Sequence, residues 1–592
     1  MKKKITTICV LLIALSSCET SVLSNGKNRA SYSNNLTTSS EDLPCEHVYN
    51  ETTIKEPTIL ETGLKEYRCQ KCDESYQKVV YDLSQYVFED GYFMYDGKDH
   101  NLTIKGMIPY GTSVEYENNT LKEVGQKEVT AKIYNEQHEL INSKKAKLNI
   151  IENKGFPNIY IDTNNVGIED KENYVSMKLS TTNCDEKYVL SEVDGGIRLR
   201  GNGTLTYDKK AYRIKMSNKM NILGLNDGAK TKSWVLIADY ADQSMMRNAT
   251  AYYMGNSLLN YSGNYCSDYM HVNVYLNNSY NGVYLLAEQQ QANANRVKVN
   301  EASSNYTGTD VGYLLELDYY ANEEDYYFEI GNNFGDNVNG TNLPKKAYSI
   351  KTDIYSNDQV KFIKKYLGNV YSAFIKVVKD NKLYVLDENN DLIESPYDNA
   401  YDTLNSMIDL ESVFKMYVLH EMMKNVDVGY SSFYMFVDFS KTSKYPRLTF
   451  GAPWDFDWSS GNVNESPYTT YKGEFNSTSF NHMNPWFYLL SKTSFFKQYI
   501  KKYYRVYLDS GIFDGAIAQA NYEADAFASE FAHNYERWQT LGTIIYRYTP
   551  DDVKSFKVHK DAVNHLTTWL QNRKSAIDKY FGETKWENYL KH

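Results

Sequence analysis

The sequence lacks long apolar runs and any excess of basic residues. After the N-terminal segment no run reaches about 18 apolar residues, the length typical of a membrane-spanning helix. The formal net charge is −11 and the pI is about 5.6. A nucleic-acid binder needs a basic face that displaces counterions. We therefore expect neither an internal membrane span nor a nucleic-acid partner.

The N-terminus has the pattern of an export signal. Lys2, Lys3 and Lys4 precede an apolar segment from Ile8 to Leu15, and Leu15-Ser16-Ser17-Cys18 follows. This ending resembles a lipobox, in which the cysteine is acylated, and acyl chains anchor a protein to a bilayer. The alternative is a plain signal peptide with a chance cysteine. We predict a lipoprotein signal (1–18), a polar tether (19–43) and a location on the outer face of a bacterial membrane.

Only seven cysteines are present. A C-x-H pair and a C-x-x-C pair, 21 residues apart, give four metal-binding side chains: Cys45, His47, Cys69 and Cys72. Two close pairs of N and S ligands suit tetrahedral Zn²⁺, and the stretch resembles short modules of Gram-positive surface proteins. We predict a zinc-ribbon-like module (44–82) with a structural ion; a Cys69–Cys72 disulfide or free thiols are the alternatives. Cys184 and Cys266 match no motif and are expected to be buried thiols, with a disulfide as the lesser alternative.

A chain of 592 residues is too long for a single core, given about 100–200 residues per domain. Between residues 83 and 152, short alternating segments and turn residues predict a small β-sandwich. Its YDGK and VGQKEVTAKI segments resemble bacterial Ig-like repeats, which are spacers or weak binders. This module shows no residues arranged for catalysis.

Residues 153–592 form the predicted main domain. Short strands dominate up to about residue 318, including Tyr212–Met216 and Trp234–Ala238, and a helix is predicted over Asp242–Leu259. Long helical patterns follow, among them Leu410–Asn425 and Pro485–Tyr507. The order predicts a multi-domain protein whose main domain is a two-lobed α+β fold, with a β-rich first lobe and a helical second lobe.

Three segments in the β-rich half are candidate nucleotide contacts. In the first, Arg200 and Asn202 lie in a glycine-containing turn, and the next strand carries Lys210 and Lys215; such a turn exposes N–H groups to phosphate. The alternative is an ordinary basic hairpin. Arg247 follows the acidic turn at Asp242, and with Asn248 it either helps to hold a phosphate or docks the helix on the strands. In the third, a buried strand ends at Glu288, where a kinase-like hinge would contact adenine; a plain buried strand is the alternative.

The strongest pattern lies in the second half. The helix from Leu410 ends at Asn425 and is followed by Asp427, a predicted hairpin and then Asp455-Phe456-Asp457. Kinases use this order, with a loop aspartate that orients the substrate hydroxyl and a later aspartate that binds Mg²⁺. If the last segment is extended, its two carboxylates share one side. Oxygen ligands of this kind suit a hard cation, although paired acids at a strand end are commonly caps or salt bridges.

Taken together in this order, the segments resemble the CotH family of atypical protein kinases. The resemblance rests on RGNGT, KKAYRIK, WVLIADYADQSMMRN, NGVYLLAEQ, GYLLELD and PWDFDW. It implies a reduced kinase fold that transfers phosphate from ATP to Ser or Thr with Mg²⁺. By this resemblance Asp427 is the catalytic aspartate, Asp455 binds the metal with help from Asp457, and Lys215 contacts phosphate, with Lys210 as its rival.

The sequence departs from the kinase pattern at two places. Ser432 stands where Asn often holds a metal ion, and Ser is a weaker metal ligand. The Asp242–Leu259 helix contains no Glu to pair with a lysine.

The sequence is compatible with three functions. They are an extracellular protein kinase acting on surface or secreted proteins, a catalytically weak or inactive surface protein with a kinase fold, and transfer of another group such as AMP or glutamate.

Overall fold

The computed structural model describes residues 45–333, 335–478 and 482–581. The predicted signal, the Cys18 acylation site and the tether (19–43) lie outside these residues. The chain divides into two compact units, one containing residues 45–51 and 67–76 and the other residues 52–66 and 77 onward. Within the described ranges, no helix has the length and apolar character that crossing a bilayer requires.

The first strands form a three-stranded sheet in the order β1-β2-β3. They are Tyr49–Lys55 (β1), Gly63–Cys69 (β2) and Ser75–Val80 (β3). All but the middle strand are largely exposed. A sheet this small and this exposed gains little stability from apolar burial, so a bound ion would contribute much of it.

The next six strands enclose a small core of their own. They are Tyr86–Val87 (β4), Gly91–Met94 (β5), Lys105–Gly106 (β6), Thr112–Glu117 (β7), Gly125–Asn135 (β8) and Leu140–Ile151 (β9). β5-β9-β8-β7 form one sheet and β4-β6 a second. Val129, Ala131 and Ile133 alternate with more exposed residues along β8, as expected of a strand with one buried face. These strands lie within residues 83–152, and the β-sandwich module and its Ig-like character stay predictions.

The following residues form a closed seven-stranded barrel with one helix inserted. The strands are Asn158–Asp162 (β10), Val175–Thr182 (β11), Val193–Leu199 (β12), Tyr212–Met220 (β13), Thr231–Ile237 (β14), Tyr269–Leu276 (β15) and Ser279–Glu288 (β16), and the helix is Arg247–Leu259 (α1). Their order is β10-β11-β12-β13-β14-β16-β15, and the parallel pairing of β10 with β15 closes the barrel. On β13, Ile214 is buried in the barrel core, so Arg213 and Lys215 point outward.

The remaining elements combine a second sheet with helices. The strands are Gly312–Leu317 (β17), Tyr327–Ile330 (β18), Asp336–Val338 (β19), Thr341–Leu343 (β20), Lys346–Ile350 (β21), Tyr384–Leu386 (β22), Leu392–Glu394 (β23), Phe433–Asp438 (β24) and Thr449–Phe450 (β25). The helices are Asn357–Asp380 (α2), Ala400–Asn405 (α3), Leu410–Met423 (α4), Pro485–Ser491 (α5), Phe496–Asp509 (α6), Ile512–Ala526 (α7), Ala528–Arg537 (α8) and His559–Phe581 (α9). Five strands form a sheet in the order β18-β21-β17-β24-β25.

The architecture is a mixed α/β fold with several sheets, and it refines two expectations. The helical half contains its own five-stranded sheet, so strands are not confined to the first half. Helix α1 begins at Arg247 and not at Asp242, because Asp242 accepts hydrogen bonds from the backbone N–H of Ser244 and of Arg247 and so forms a turn before the helix. The two-lobed kinase arrangement stays a prediction.

Candidate functional site

Asp427 lies in a short 3₁₀ turn that directly follows helix α4. The helix ends at Lys424, which has a left-handed φ of 47°, and the turn spans Val426–Gly429. The Asn425 side-chain oxygen accepts the backbone N–H of Asp427 at 3.1 Å. His482 Nδ1 lies 3.0 Å from the Val426 carbonyl oxygen and 3.8 Å from Asp427 Oδ1. The sequence places the carboxylate just after a helix, and these contacts fix it there.

Asp455 follows strand β25 in an irregular segment. Its φ is 64°, in the left-handed region, so the condition that Asp455-Phe456-Asp457 is extended is not met. The relative positions of its two carboxylates therefore do not follow from strand alternation. Ser432, whose φ is 60°, donates its hydroxyl to Asp455 Oδ2 at 3.2 Å. Ser432 thus contacts Asp455 directly, from the loop that precedes β24.

Asn425 joins the two predicted catalytic aspartates. Its Nδ2 donates to the Asp455 carbonyl oxygen at 3.0 Å, while its oxygen accepts the N–H of Asp427. Burial, with a further contribution from the nearby Asp455 charge, raises the pKa of Asp427 to about 7. The structure therefore brings Asp427 and Asp455, 28 positions apart in sequence, into one electrostatically coupled site.

Asp457 lies close enough to several other acidic side chains to feel their charges. Burial raises its pKa well above the usual range, with further contributions from the charges of Asp455 and Asp239. Asp239 lies two residues after the end of β14, has a left-handed φ of 45° and is buried. Sequence reasoning missed Asp239, although its place at a strand end, three residues before Asp242, was the available indication.

Arg247 is part of a buried ion pair. Its guanidinium lies 2.5 Å from Asp242 Oδ1, and its remaining donors reach the carbonyl oxygens of Ser459 and Ser460 at 3.0 and 3.3 Å. These contacts join the start of α1 to the loop after Asp457. Of the two roles considered for Arg247, they favour docking of the helix over contact with phosphate.

The predicted phosphate-binding residues of the turn and of strand β13 have different surroundings. Lys210 Nζ donates to the carbonyl oxygens of Leu205 and Tyr207 at 2.8 and 2.5 Å and so closes its own turn. Asn202 accepts a hydrogen bond from Lys171 at 2.8 Å. Lys215 is exposed, and its ammonium lies 6.0 Å from the centre of the Tyr174 ring. Of the two predicted lysines, Lys215 therefore has the more accessible charge.

Two arginines lie on the outer surface of the barrel near the acidic residues. The Arg200 guanidinium lies 5.3 Å from the centre of the Trp454 ring, one residue before Asp455. Burial lowers the pKa of Arg213, and the charges of Arg198 and Arg200 lower it further. The sequence analysis did not identify Arg213, although it shares the outward face of β13 with Lys215. Positive charge thus lies beside the Asp455 segment, where phosphate would need it.

Glu288 is engaged in a buried ion pair at the end of β16. Its Oε1 lies 3.2 Å from Arg296 Nε, and its Oε2 accepts the Tyr265 hydroxyl at 3.1 Å. Just after it, Gln290 Nε2 lies 3.4 Å from the Pro453 carbonyl oxygen. The Glu288 carboxylate therefore stabilises the fold, while the segment that follows it reaches the Asp455 loop.

The four predicted zinc ligands lie together. The ligand atoms of Cys45, His47, Cys69 and Cys72 are all within 4.8 Å of one another. His47 Nδ1 lies 3.4 Å from Cys72 Sγ, and its Nε2 lies 2.9 Å from Glu74, the kind of carboxylate that orients a metal-bound histidine. Three thiols and one imidazole fit Zn²⁺. Cys184 and Cys266 are both free thiols.

A cavity of about 770 Å³ lies apart from these residues. Its walls include Tyr253 and Asn256 of α1, Asp268, and Tyr522 of α7. None of the predicted nucleotide-site residues lines it. This cavity and the acidic cluster are thus different places, and the chemistry of the acidic cluster carries the functional argument.

Comparison with known proteins agrees with this geometry. The family model described as CotH kinase protein matches residues 197–577, which is more than half of the chain. A search of curated proteins returned no match. The matched range contains Arg200, Asp239, Asp427, Asp455 and Asp457. The chain therefore belongs to the CotH kinase protein family.

Proposed function

We propose that this protein is an ATP- and Mg²⁺-dependent protein kinase that phosphorylates Ser or Thr of surface or secreted proteins. The observation that carries the proposal is the Asn425 bridge, which holds Asp427 and Asp455 in one site. A loop aspartate beside a metal-binding aspartate is the arrangement that phosphoryl transfer requires. Membership of the CotH kinase protein family supports the same chemistry.

Each residue has a distinct role in the proposed reaction. Asp427, with a pKa of about 7, accepts the proton of the attacking hydroxyl, and a base of that pKa suits neutral conditions. Asp455 and Asp457 supply the oxygen ligands for Mg²⁺, with Ser432 beside them, and Mg²⁺ when bound neutralises charge on the nucleotide phosphates. Arg200, together with Lys215 on the same face of the barrel, attracts the phosphate groups.

Two variants separate nucleotide binding from catalysis. We expect ATP with Mg²⁺ to raise the melting temperature of the wild type and of Asp427→Asn, but not of Asp455→Asn, because only the last loses a metal ligand. Both variants should lose transfer of labelled phosphate to acceptor proteins. Asp185→Asn, at a side chain that is 75% exposed, is the matched control and should behave like the wild type. Full turnover by both site variants would exclude the kinase proposal.

A catalytically weak surface protein is the second candidate function. It is favoured by Ser432, which occupies the usual Asn position and donates its hydroxyl to an oxygen of Asp455 that a metal ion would otherwise use. This candidate predicts that ATP gives no Mg²⁺-dependent shift in melting temperature. Mass spectrometry of the products separates phosphorylation from transfer of AMP or glutamate.

We further propose that Cys18 is acylated and tethers the protein to the outer face of the membrane. The basic residues, the apolar segment and the Leu15-Ser16-Ser17-Cys18 sequence support this location. Replacing Cys18 by Ser should move the protein from the membrane fraction to the medium. Retention of that variant in the membrane fraction would argue against acylation at Cys18.

A further inference from the structure

The cavity of about 770 Å³ is lined both by strands of residues 83–152 and by the main domain. Its walls combine β5 and β6 with α1, the loop that follows α1, and α7. Hydrogen bonds join these parts: the Tyr522 hydroxyl accepts the backbone N–H of Met94 at 2.7 Å, and Asn153 Nδ2 donates to the Ala526 carbonyl oxygen at 2.6 Å. The volume falls within the range of about 300–1,000 Å³ typical of small-ligand sites, which favour the junctions between domains.

Several polar groups of the cavity wall have no partner in the described part of the chain. Asn264 is 9% exposed, and its side-chain amide forms no hydrogen bond with any described residue. The hydroxyls of Tyr261 and Tyr269 are likewise unpartnered within the described ranges. Asp268 accepts the backbone N–H groups of Asn226 and Tyr269 at 2.7 and 2.9 Å, and a carboxylate has room to accept more than these two bonds. Because buried polar groups usually have partners, these groups are available to a ligand.

Two tyrosine rings of the wall are free to stack on a ligand. Tyr92 lines the cavity and is 67% exposed. Tyr261 packs against Gly106 of β6, where the missing side chain permits a close approach, since a Cβ there would lie 2.9 Å from Tyr261 Cδ2. Neither ring contacts another aromatic ring among the described residues. The wall therefore offers apolar ring faces beside hydrogen-bonding groups.

Most charged groups of the wall are already paired. Lys105 lies 2.5 Å from Glu89, His271 Nδ1 lies 2.5 Å from Glu523, and the Arg296 guanidinium is held in the ion pair at the end of β16. The other charged residues that line the cavity are of both signs, namely Asp227, Asp268 and Lys298. Such a wall lacks the concentrated positive charge that binds phosphate groups, and it is too polar for an aliphatic chain.

We propose that this cavity binds a short neutral oligosaccharide. A sugar ring has a C–H face that stacks on an aromatic ring, here Tyr92 or Tyr261, and a rim of hydroxyls that both donate and accept hydrogen bonds. The Asn264 amide offers a donor and an acceptor, and the Asp268 carboxylate accepts from hydroxyls. Since none of the residues assigned to phosphate transfer lines the cavity, this binding is a second activity, separate from the proposed kinase.

Saturation-transfer-difference NMR tests the proposal. The purified full chain is mixed with cellotriose, maltotriose, chitotriose or mannotriose, which differ in linkage geometry, in the orientation of their hydroxyls and in the presence of acetamido groups. We expect at least one of them to receive saturation, most strongly at its ring C–H protons, and titration then gives its dissociation constant. If none of these sugars receives saturation at millimolar concentration, the proposal is overturned.

Variants assign the binding to this cavity. Tyr92→Ala and Asn264→Ala should each weaken it by about two- to tenfold, because one loses a stacking ring and the other loses hydrogen bonds. Tyr397→Ala is the matched control, since Tyr397 is 43% exposed and lies outside the cavity, and it should bind like the wild type. Equal affinity of the wild type, Tyr92→Ala and Asn264→Ala overturns the assignment. If Asn264→Ala does not fold, Tyr92→Ala decides, because its side chain is exposed.

The outcome is independent of catalysis. Sugar binding that persists with saturating ATP and in Asp455→Asn supports the cavity, with or without phosphate transfer by the wild type. Loss of binding in Asp455→Asn, together with unchanged binding by Tyr92→Ala and Asn264→Ala, would place the sugar at the acidic cluster and overturn the proposal. Absence of sugar binding leaves the kinase proposal to its own test.

Discussion

The side chain of Asn425 donates to the carbonyl oxygen of Asp455 at 3.0 Å, and this bond joins the loop after α4 to the segment after β25. The same side chain accepts the N–H of Asp427 at 3.1 Å. A single amide thereby sets the spacing of the proposed base and the proposed metal ligand. Positioning of this kind matters because small displacements of reacting groups cost large factors in rate.

Replacing Asn425 by Ala should lower phosphate transfer more than it lowers stability. Two hydrogen bonds are lost, at about 1 kcal/mol each, and a comparable loss in the transition state reduces the rate at least about tenfold. The measurements are kcat with saturating ATP and Mg²⁺ and the free energy of unfolding. Asn256→Ala is the matched control, because its amide reaches the Ser267 carbonyl oxygen at 3.1 Å, away from the aspartates. Equal activity of the two variants would contradict the positioning role.

The stability of the metal-free protein should depend on pH through Asp427. Its pKa is about 7 when folded and near 3.9 in an unfolded chain, so between these values the folded state binds the extra proton. The free energy of unfolding therefore falls as pH rises from about 4 to about 7. Asn cannot ionise, so Asp427→Asn should gain stability relative to the wild type across this range.

The expected gain for Asp427→Asn is at most about 4 kcal/mol, the equivalent of three pKa units. The side chain is 20% exposed, so screening makes it smaller. Denaturant unfolding at about pH 5 and about pH 8 measures it. The exposed Asp185→Asn variant should follow the wild type at both values. A gain that shrinks as pH rises would show that the pKa of Asp427 is not raised.

Glu288→Gln should destabilise the protein without altering the affinity for nucleotide. The change removes the charge that compensates the fully buried Arg296, and breaking such a pair costs about 3 kcal/mol or more. The melting temperature and the dissociation constant for ATP are the measurements. Glu329→Gln is the control, since its pair with Lys345 is partly exposed and should cost below about 1 kcal/mol. Weaker ATP binding with unchanged stability would instead assign Glu288 to the nucleotide site.

The purified chain should contain one Zn²⁺, and Cys72→Ser should lose it. Removing one of four ligands leaves an incomplete tetrahedral site, whereas Cys184→Ser leaves the ligand set intact. Elemental analysis gives the zinc content, and thiol titration gives the number of free cysteines. A zinc-free protein with a disulfide between Cys69 and Cys72 would establish the alternative that the sequence left open.

The sequence indicated which residues belong to the candidate site better than it indicated how they are held. Asp427 and Asp455 could be chosen because the order of helix, loop and hairpin is a property of the sequence. The left-handed conformation of Asp455 could not be predicted. Asp is one of the few residues besides Gly that can adopt it, and tertiary contacts decide whether it does. The contacts of Asn248 and Asn425 could not be predicted either, because an asparagine in a helix or at its end has many possible partners.

The sequence also could not predict the surroundings of the lysines near β13. Lys209, Lys210 and Lys215 lie within seven residues, and nothing in their spacing tells which is buried. The fold buries Lys209, binds Lys210 into its turn and exposes Lys215. The different positions of the two lysines become clear only when β13 is known to begin at Tyr212. Lys210 lies before the strand, and Lys215 lies on it.

The closed barrel bears on how the protein behaves when many copies are crowded together. All seven of its strands have a neighbour on both sides, so none offers unpaired backbone groups to another molecule. The five-stranded sheet does have edges, and one of them, β25, is only two residues long. Edge-to-edge aggregation of folded molecules is therefore disfavoured over much of the main domain, even at high protein concentration.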